Sequence, residues 1–380
     1  MKSIMQKDLW SITSFLENKN YKFNKENILT QLPEKFIDEA IKAISSWDNY
    51  APTPLVKLNK LNDELKFKNI YYKDEDKRFD LKSFKALGGA FAVYKIASEK
   101  KNITVSTATA GNHGRSVAWG AQRLGLKCKI FISEFVSESR AEAMRKLDAD
   151  VIRVKGNYDN SLKECIKQSK ENNWEIVQDV SWEGYKEVPK LIMAGYTIMI
   201  KEILDEVKSN SISHVFLQAG VGGMAAAMIA GFAKLSQNIP KFIIVEPENA
   251  DCVFQSIKNN KPTSVDIKKE TVMGGMSCGD VSSIAWEILK NSSNYCLTIS
   301  DEAISTTVAL LAEKRLSDEK IIAGECAVPG IIALISSFNN KEYLDKLELN
   351  EQSNVLLFGC EGLTDSAMYQ KLLSDGLQKI

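Results

Sequence analysis

The stretch Ser83-Phe84-Lys85-Ala86-Leu87-Gly88-Gly89 places a lysine between an aromatic residue and paired glycines. It lies between a predicted strand at 69–73 and a predicted helix that begins just beyond Lys85. A lysine becomes a useful nucleophile or base when an apolar site leaves part of its amine neutral near neutral pH. Phe84 and Leu87 supply such a site, and we interpret Lys85 as a Schiff-base lysine. The alternative is a solvated surface charge, which is the common state of a lysine.

Downstream of this helix, short apolar runs alternate with helical patterns. The runs lie at 103–105, 128–132, 151–154, 175–177, 214–218, 242–245 and 355–358, and the helical patterns near 115–124, 138–147, 158–172, 188–207 and from Gly223. This alternation predicts parallel sheets covered by helices on both faces. The expected fold is α/β with two doubly wound open-sheet lobes. We assign a small domain to 89–189 and a large domain, with an N-terminal arm, to 1–88 plus 190–380.

The composition excludes several classes of partner. Lysine plus arginine and aspartate plus glutamate both number 49, so no net basic field attracts nucleic acid or anionic lipid. The N-terminus lacks the apolar core of a signal peptide, and no uncharged apolar run reaches membrane-spanning length. Seven cysteines without a CxxC pair and only two histidines fit neither a disulfide framework nor a metal site. We therefore expect a cytoplasmic protein with reduced thiols, no metal, and no nucleic-acid or membrane partner.

Two loops between a predicted strand and a predicted helix carry small residues where a ligand would meet the backbone. In the first, Thr107-Ala108-Thr109-Ala110-Gly111-Asn112-His113-Gly114, the alternative to a ligand site is a helix cap by Asn112 or Thr109. The second is Gln218-Ala219-Gly220-Val221-Gly222-Gly223-Met224, whose glycines let backbone N–H groups converge on an anion. Because Ala225 replaces the last glycine of GxGxxG, this loop predicts a single-phosphate site, with a structural tight turn as the alternative.

A third loop, Phe358-Gly359-Cys360-Glu361-Gly362, closes the last predicted strand. At the C-terminal end of a strand in an open parallel sheet, side chains face the ligand crevice. Cys360 is therefore a candidate ligand-facing residue, although packing in the core is the usual role of a buried cysteine.

Taken together, these motifs resemble the fold type II pyridoxal-phosphate (PLP) enzymes, the group of tryptophan synthase β and the threonine and serine dehydratases. The resemblance spans nearly the whole chain in order. Within the group, the sequence is most similar to the diaminopropionate ammonia-lyases. The runs that carry this similarity are Tyr72-Lys73-Asp74-Glu75, Arg78-Phe79-Asp80-Leu81, Met273-Gly274-Gly275-Met276-Ser277-Cys278-Gly279 and the most specific, Val177-Gln178-Asp179-Val180-Ser181-Trp182-Glu183-Gly184-Tyr185.

The resemblance implies a homodimer with PLP bound between two lobes, and it implies a role for each site residue. Lys85 holds the cofactor and removes the α-proton, and Asp179 positions or protonates the β-amino group of a small amino-acid substrate. A thiol facing the pyridine nitrogen cannot keep it protonated as a carboxylate would, which favours elimination. The implied cofactor-binding residues are Lys85, Phe84, Asn112, Gly220, Val221, Gly222, Gly223, Met224 and Cys360, and the implied substrate-binding residues are Thr109, Ala110, Gly111, His113 and Asp179.

One position departs from the pattern of the ammonia-lyases, which carry an aspartate just before Gly-Asn-His-Gly. That aspartate is thought to be the base for the D-substrate, and here the position is Ala110. Alanine cannot take a proton, so Lys85 is left as the evident base. The expected substrate is a single enantiomer, the L form, and racemisation is disfavoured because it needs a base on each face.

The sequence predicts α,β-elimination from a small L-amino acid, with 2,3-diaminopropionate as the first substrate, giving pyruvate and ammonia. The alternatives within this class are a serine or threonine dehydratase and a lyase for another β-substituted alanine. Two alternatives come from other classes: a nucleotide-binding oxidoreductase that uses the Gly220 loop, and a homologue that binds an amino acid without catalysis.

Overall fold

A computed structural model describes residues 8–109, 111–207 and 212–380 of the chain. The chain divides into two compact units. The first comprises Met1–Gln31, Pro52–Lys77 and Met199–Ile380, and the second comprises Leu32–Ala51 and Arg78–Ile198.

The strands, in chain order, are β1 (Ile12–Glu17), β2 (Leu55–Lys57), β3 (Asn69–Asp74), β4 (Thr104–Ala108), β5 (Lys127–Ser133), β6 (Ala149–Val154), β7 (Glu175–Ile176), β8 (His214–Gln218), β9 (Lys241–Pro247), β10 (Tyr295–Ile299) and β11 (Asn354–Gly359). The helices are α1 (Lys25–Gln31), α2 (Glu34–Ser45), α3 (Asn59–Leu65), α4 (Lys85–Glu99), α5 (Asn112–Arg123), α6 (Glu138–Arg145), α7 (Tyr158–Asn172), α8 (Glu187–Tyr196), α9 (Ile198–Glu206), α10 (Gly223–Leu235), α11 (Cys252–Asn259), α12 (Ser283–Ser292), α13 (Ile304–Ala312), α14 (Pro329–Phe338), α15 (Lys341–Leu347) and α16 (Ser366–Leu377).

The unit boundaries differ from the predicted domain boundaries at 88/89 and 189/190. Those predicted boundaries fall inside α4 and α8, two helices that pack on each other within the second unit. The compact units divide at 31/32, 51/52, 77/78 and 198/199, so α4 and α8 each lie whole within the second unit, and the predicted domain assignment stays a prediction. The segment Leu32–Ala51, predicted as part of the N-terminal arm, belongs to the second unit.

The helix predicted over 188–207 is two helices, α8 and α9, that meet at Thr197. The Thr197 hydroxyl donates a hydrogen bond to the Ala194 carbonyl over 2.6 Å, and the Thr197 N–H donates to the same carbonyl. A side-chain hydroxyl that bonds a nearby carbonyl competes with the regular helical ladder. The interruption therefore coincides with the hydroxyl of Thr197, which bonds the Ala194 carbonyl at the junction.

The first unit contains a seven-stranded sheet in the order β1-β10-β9-β8-β11-β3-β2. The five inner strands are parallel, and β1 and β2 are antiparallel at the two edges. Every residue of β8 and β11 is buried, as expected for apolar strands covered on both faces. Because β8, β11 and β3 are neighbours, the loops that follow them leave the sheet side by side.

The second unit contains a four-stranded parallel sheet in the order β6-β5-β4-β7. The turn after β4 and the segment after β7 therefore leave adjacent strands at the same edge. Beside the sheet, α4 and α8 approach so closely that a Cβ on Gly88 would lie 2.4 Å from the Tyr196 ring. Glycine at position 88 thus brings Tyr196 beside the start of α4.

No helix within the described part of the chain combines the length and the apolar character needed to cross a membrane.

Candidate active site

Lys85 is the first residue of α4, and its amine lies among aromatic rings beside a carboxylate. Lys85 Nζ is 2.5 Å from Asp179 Oδ2, and the Lys85 side chain is 26% exposed. The same nitrogen lies 5.4 Å from the centre of the Phe84 ring and 5.9 Å from that of Tyr196. The structure thus joins two predicted catalytic residues that are 94 positions apart in sequence.

Asp179 is held in place by its neighbour Gln178, whose side chain bonds the end of β4 and donates to the Tyr158 hydroxyl. The Gln178 Oε1 accepts hydrogen bonds from Thr107 Oγ1 and from the Ala108 N–H, and its Nε2 donates to the Ala108 carbonyl. The Tyr185 hydroxyl accepts from the Gln178 N–H and donates to the Ile176 carbonyl. These bonds fix the backbone just before Asp179 and tie the Tyr185 side chain, six residues further on, to the same point.

The Asp179 carboxylate is almost buried but remains ionised. Its side chain is 14% exposed, and burial alone would raise its pKa. The His113 ring and the Lys85 ammonium act in the opposite direction and hold the pKa of Asp179 well below its ordinary value. The site therefore presents a permanent negative charge to an amine.

His113 is buried and faces the Asp179 segment. Its Nε2 donates to the Val177 carbonyl over 2.8 Å, and its Nδ1 lies 3.7 Å from Asp179 Oδ2. Burial lowers the pKa of His113, and Lys85 lowers it further. The ring is thus engaged with 177–179, and its predicted role in binding the substrate carboxylate stays a prediction.

The turn after β4 is organised by the Thr109 hydroxyl, which accepts hydrogen bonds from the N–H groups of Gly111 and Gly114. Gly111 is the N-cap residue of α5, and the Thr109 hydroxyl caps the helix by accepting from the first-turn Gly114 N–H, as the alternative of a Thr109 cap predicts. Asn112 opens α5 beside His113. Ala110 lies outside the described residues.

In the first unit, the glycine loop after β8 leads directly into α10. Gly222 has a φ of +88°, a left-handed conformation that side-chain-bearing residues rarely adopt. It is the N-cap residue of α10, and no side chain caps that helix. A Cβ on Gly220 would lie 3.0 Å from Cys278 Sγ, a contact tight enough that a side chain here would displace its neighbours. Val221, Gly223 and Met224 complete the loop and the first helical turn.

Cys360 follows β11, the strand next to β8. Its thiol donates to the Cys326 carbonyl over 3.1 Å, and the residue is 4% exposed. The same carbonyl accepts from Gln218 Nε2, which also donates to the Phe358 carbonyl. Gln218 therefore links the strand before the glycine loop to the strand before Cys360, and the structure brings these two predicted cofactor-binding elements together.

The comparisons with known proteins agree with this architecture. A family model described as "Pyridoxal-phosphate dependent enzyme" matches residues 47–361. The chain therefore belongs to the family of PLP-dependent enzymes. The predicted fold class and cofactor are confirmed.

Among its relatives, the chain is similar to diaminopropionate ammonia-lyases. That of Escherichia coli (strain K12) is 33% identical over 352 residues, which cover 86% of this chain and 88% of the relative. That of Salmonella typhimurium is 34% identical over 360 residues, with coverages of 86% and 89%. The E. coli enzyme in complex with an "aminoacrylate-PLP azomethine reaction intermediate" is 31% identical, with a TM-score of 0.88 over 96% of this chain and 98% of that one. The predicted elimination chemistry and carbon–nitrogen lyase class are confirmed.

The described residues fit PLP. Two glycines keep side chains out of a loop that opens an uncapped helix, which suits a phosphate because the first-turn N–H groups have no side-chain acceptor. Lys85 supplies the amine that the aldehyde requires, beside aromatic rings. The first unit therefore contains N–H groups suited to a phosphate, and the second unit contains an amine suited to an aldehyde.

Sequence reasoning missed two groups at the site. Tyr196 has no distinctive neighbours in sequence, and only the close approach of α8 to α4 places it beside Lys85. Gln178 lies inside the most specific run of the sequence, but its bonding to β4 depends on β7 pairing with β4. Residue spacing carries no signal for either contact.

Proposed function

We propose that this PLP-dependent lyase acts on L-2,3-diaminopropionate and converts it into pyruvate and ammonia. The observation that supports this substrate most directly is the 2.5 Å pair between Lys85 Nζ and Asp179 Oδ2. It places a buried, ionised carboxylate where an ammonium group is bound. A β-ammonium group matches that carboxylate, whereas the hydroxyl group of serine or threonine carries no charge for it to pair with.

In this proposal Lys85 binds the cofactor covalently. Phe84 and Asn112 would also hold the cofactor. The glycine loop, Gly220 to Met224, would bind its phosphate through backbone N–H groups, and Cys360 would complete the set of cofactor-binding residues. When bound, PLP withdraws electrons from the substrate Cα, which makes the α-proton acidic.

The residues of the chain then carry out the proton transfers. Lys85 Nζ accepts the α-proton, and the electron pair left at Cα forms a double bond to Cβ as the Cβ–N bond breaks. Asp179 binds and orients the leaving amino group before this step. That group then departs as ammonia. The backbone of the turn Thr109 to Gly114 holds the substrate carboxylate. Hydrolysis of the remaining three-carbon product yields pyruvate and the second ammonia.

The proposed stereospecificity rests on position 110. With Ala110 in place of an acid, Lys85 is the base for the L enantiomer, and the D enantiomer lacks one. A crystal structure of the E. coli enzyme contains D-serine, so a relative binds a D-amino acid. Pyruvate release from separate L- and D-diaminopropionate tests the proposal, and equal rates with the two enantiomers would contradict it.

A second candidate is a serine or threonine dehydratase. It is supported by Ala110, which departs from the aspartate of the ammonia-lyases, and by a threonine dehydratase of Haemophilus influenzae that is 30% identical over 213 residues, 56% of this chain and 39% of the relative. Pyruvate or 2-oxobutyrate formation from L-serine or L-threonine, without reaction of diaminopropionate, would select it. Absence of turnover with every β-substituted alanine, despite bound PLP, would select a non-catalytic homologue.

The lysine assignment is tested by reducing the holoenzyme with borohydride and mapping the labelled peptide. The label is expected on Lys85. Lys82, three positions earlier in the same peptide, is the internal control. Label on Lys82 with Lys85 unmodified would refute the assignment.

We also propose a cytoplasmic homodimer. All seven cysteines are free thiols, which suits a reducing compartment. Light scattering coupled to gel filtration measures the assembly, and a monomer of 42.4 kDa at micromolar concentration would contradict the dimer.

A further inference from the structure

The backbone that leads into Lys85 is strained. Phe79, Asp80 and Lys82 have φ angles of 48°, 59° and 58°, so three of four consecutive residues are left-handed without being glycine. Aspartate tolerates this conformation, but for phenylalanine and lysine it is unfavourable because Cβ approaches the backbone. Such a conformation persists only where the surrounding structure fixes it.

The fixing contacts come from an aromatic cluster within the second unit. The Phe79 ring lies 4.7 Å from the Trp119 ring and 5.8 Å from the Trp47 ring, and these two tryptophans pack edge to face at 5.8 Å. The Arg123 guanidinium lies 4.5 Å from the Trp47 ring centre and 4.8 Å from that of Trp119. We call Trp47, Phe79, Trp119 and Arg123 the aromatic clamp.

The clamp contacts the segment 79–85 at Phe79, and Lys85 lies at the other end of that segment. Just before the clamp, Arg78 is 1% exposed, and its guanidinium donates to the Ala51 carbonyl over 3.4 Å. Just after the strained residues, the Ser83 hydroxyl accepts from the Lys85 N–H over 3.3 Å. Trp119 belongs to α5, the helix that Asn112 and His113 open. A movement of Phe79 therefore changes the position of Lys85 relative to α5.

We propose that the aromatic clamp positions Lys85. It maintains the left-handed conformation of Phe79, Asp80 and Lys82 and thereby holds the Lys85 amine beside Asp179. The inference rests on the proposed role of Lys85. Without the Phe79 ring, the segment relaxes to ordinary φ angles and Lys85 Nζ leaves its 2.5 Å contact. The clamp residues contact neither Lys85 nor Asp179 in the interactions described, so they act through the backbone.

The test compares three variants of the full-length protein. Phe79→Ala removes the ring, and Phe79→Tyr keeps it as the conservative rescue. Phe135→Ala is the matched control, because Phe135 is 78% exposed in the same unit and makes no aromatic contact among the described residues. In cofactor-free protein, competitive acetylation followed by peptide mapping measures the reactivity of Lys85 against Lys341, whose side chain is 85% exposed.

We expect Phe79→Ala to raise the relative reactivity of Lys85 about threefold or more, because its amine loses an ionic partner. In the holoenzyme we expect kcat to fall about 10- to 100-fold with KM changed less than about threefold, the signature of a misplaced catalytic group. Phe79→Tyr should restore both values, and Phe135→Ala should leave them unchanged. A Phe79→Ala protein with wild-type acetylation, or with lower thermal stability and wild-type kcat, overturns the inference.

If Phe79→Ala does not fold, Trp119→Leu takes its place, because it weakens the clamp without changing the sequence of the strained segment. Unchanged Lys85 acetylation in a folded Trp119→Leu protein overturns the inference equally. The acetylation measurement needs neither PLP nor substrate. Failure of the proposed substrate therefore appears as absent turnover in the wild type, whereas failure of the clamp appears as unchanged labelling in the variants.

Discussion

Replacement of Asp179 by asparagine separates the ammonia-lyase reaction from the dehydratase reaction. The substitution keeps the size of the side chain and removes the charge that faces an amine at 2.5 Å. Removing one partner of a buried, hydrogen-bonded charge pair costs about 2–5 kcal/mol. Because the Asp179 side chain is 14% exposed, we take a value near 3 kcal/mol, which corresponds to about a 150-fold loss in kcat/KM for diaminopropionate.

The same substitution should change kcat/KM for L-serine by less than about fivefold, since a hydroxyl leaving group forms no ion pair with position 179. The assay is pyruvate release coupled to lactate dehydrogenase, with both substrates measured on one enzyme preparation. Spectrophotometric titration of bound PLP controls for cofactor loss. An equal loss for the two substrates would refute the reasoning, because it would mean that Asp179 serves Lys85 and not the leaving group.

Three other substitutions test separate parts of the molecule. Ala110→Asp restores an acid before Gly111 and should create measurable pyruvate release from D-diaminopropionate, whereas Ala110→Asn should not. Gly222→Ala should weaken PLP binding, measured by fluorescence titration, by at least about tenfold, because alanine is strained at a φ of +88° and its Cβ would lie 2.8 Å from Leu289. Burial raises the pKa of Asp74 from 3.8 to about 6, so its contribution to the free energy of unfolding falls as the pH rises between these values, by ~3 kcal/mol. Asp74→Asn should therefore be more stable than the wild type in urea at pH 7 and about equally stable at pH 4, and a constant difference would contradict the pKa shift.

The strands β8, β9 and β11 were predictable because nearly all of their residues are buried and read as apolar runs. β1 and β10 were not predicted. The β1 residues are at most partly buried, as on an edge strand, and the partner of Ile12 is Ile299, far along the chain. An edge strand with a distant partner lacks the apolar signal that identified β8 or β11.

The loops that carry the candidate site were predictable, because glycine and small residues between strand and helix patterns have a chemical meaning of their own. The contacts between the loops were not. The pairing of Lys85 with Asp179 depends on β7 lying next to β4, and that order is set by a two-residue strand, Glu175–Ile176. So short a strand is fixed by Gln178, whose side chain bonds Ala108 70 positions earlier, and by the Val177 N–H, which donates to the Ser106 carbonyl, and sequence spacing does not reveal contacts this distant.

The ion pair between Lys85 and Asp179 has a consequence for the order of events. The carboxylate accepts one ammonium group at 2.5 Å, and the same oxygen is the proposed partner of the substrate β-ammonium. The ion pair between Lys85 and Asp179 must therefore break before a substrate ammonium group can take the place of Lys85. Covalent binding of Lys85 to the cofactor breaks it. On this reasoning, diaminopropionate binds weakly to protein that lacks PLP, whereas L-serine, which does not need Asp179, should bind with less dependence on the cofactor.

Isothermal titration of both amino acids into PLP-free Lys85→Ala protein isolates the competition between Lys85 and the substrate. In that variant Lys85 no longer pairs with Asp179, so diaminopropionate should bind more tightly than to PLP-free wild type. Equal affinities in the two proteins would show that the lysine and the substrate do not share the carboxylate.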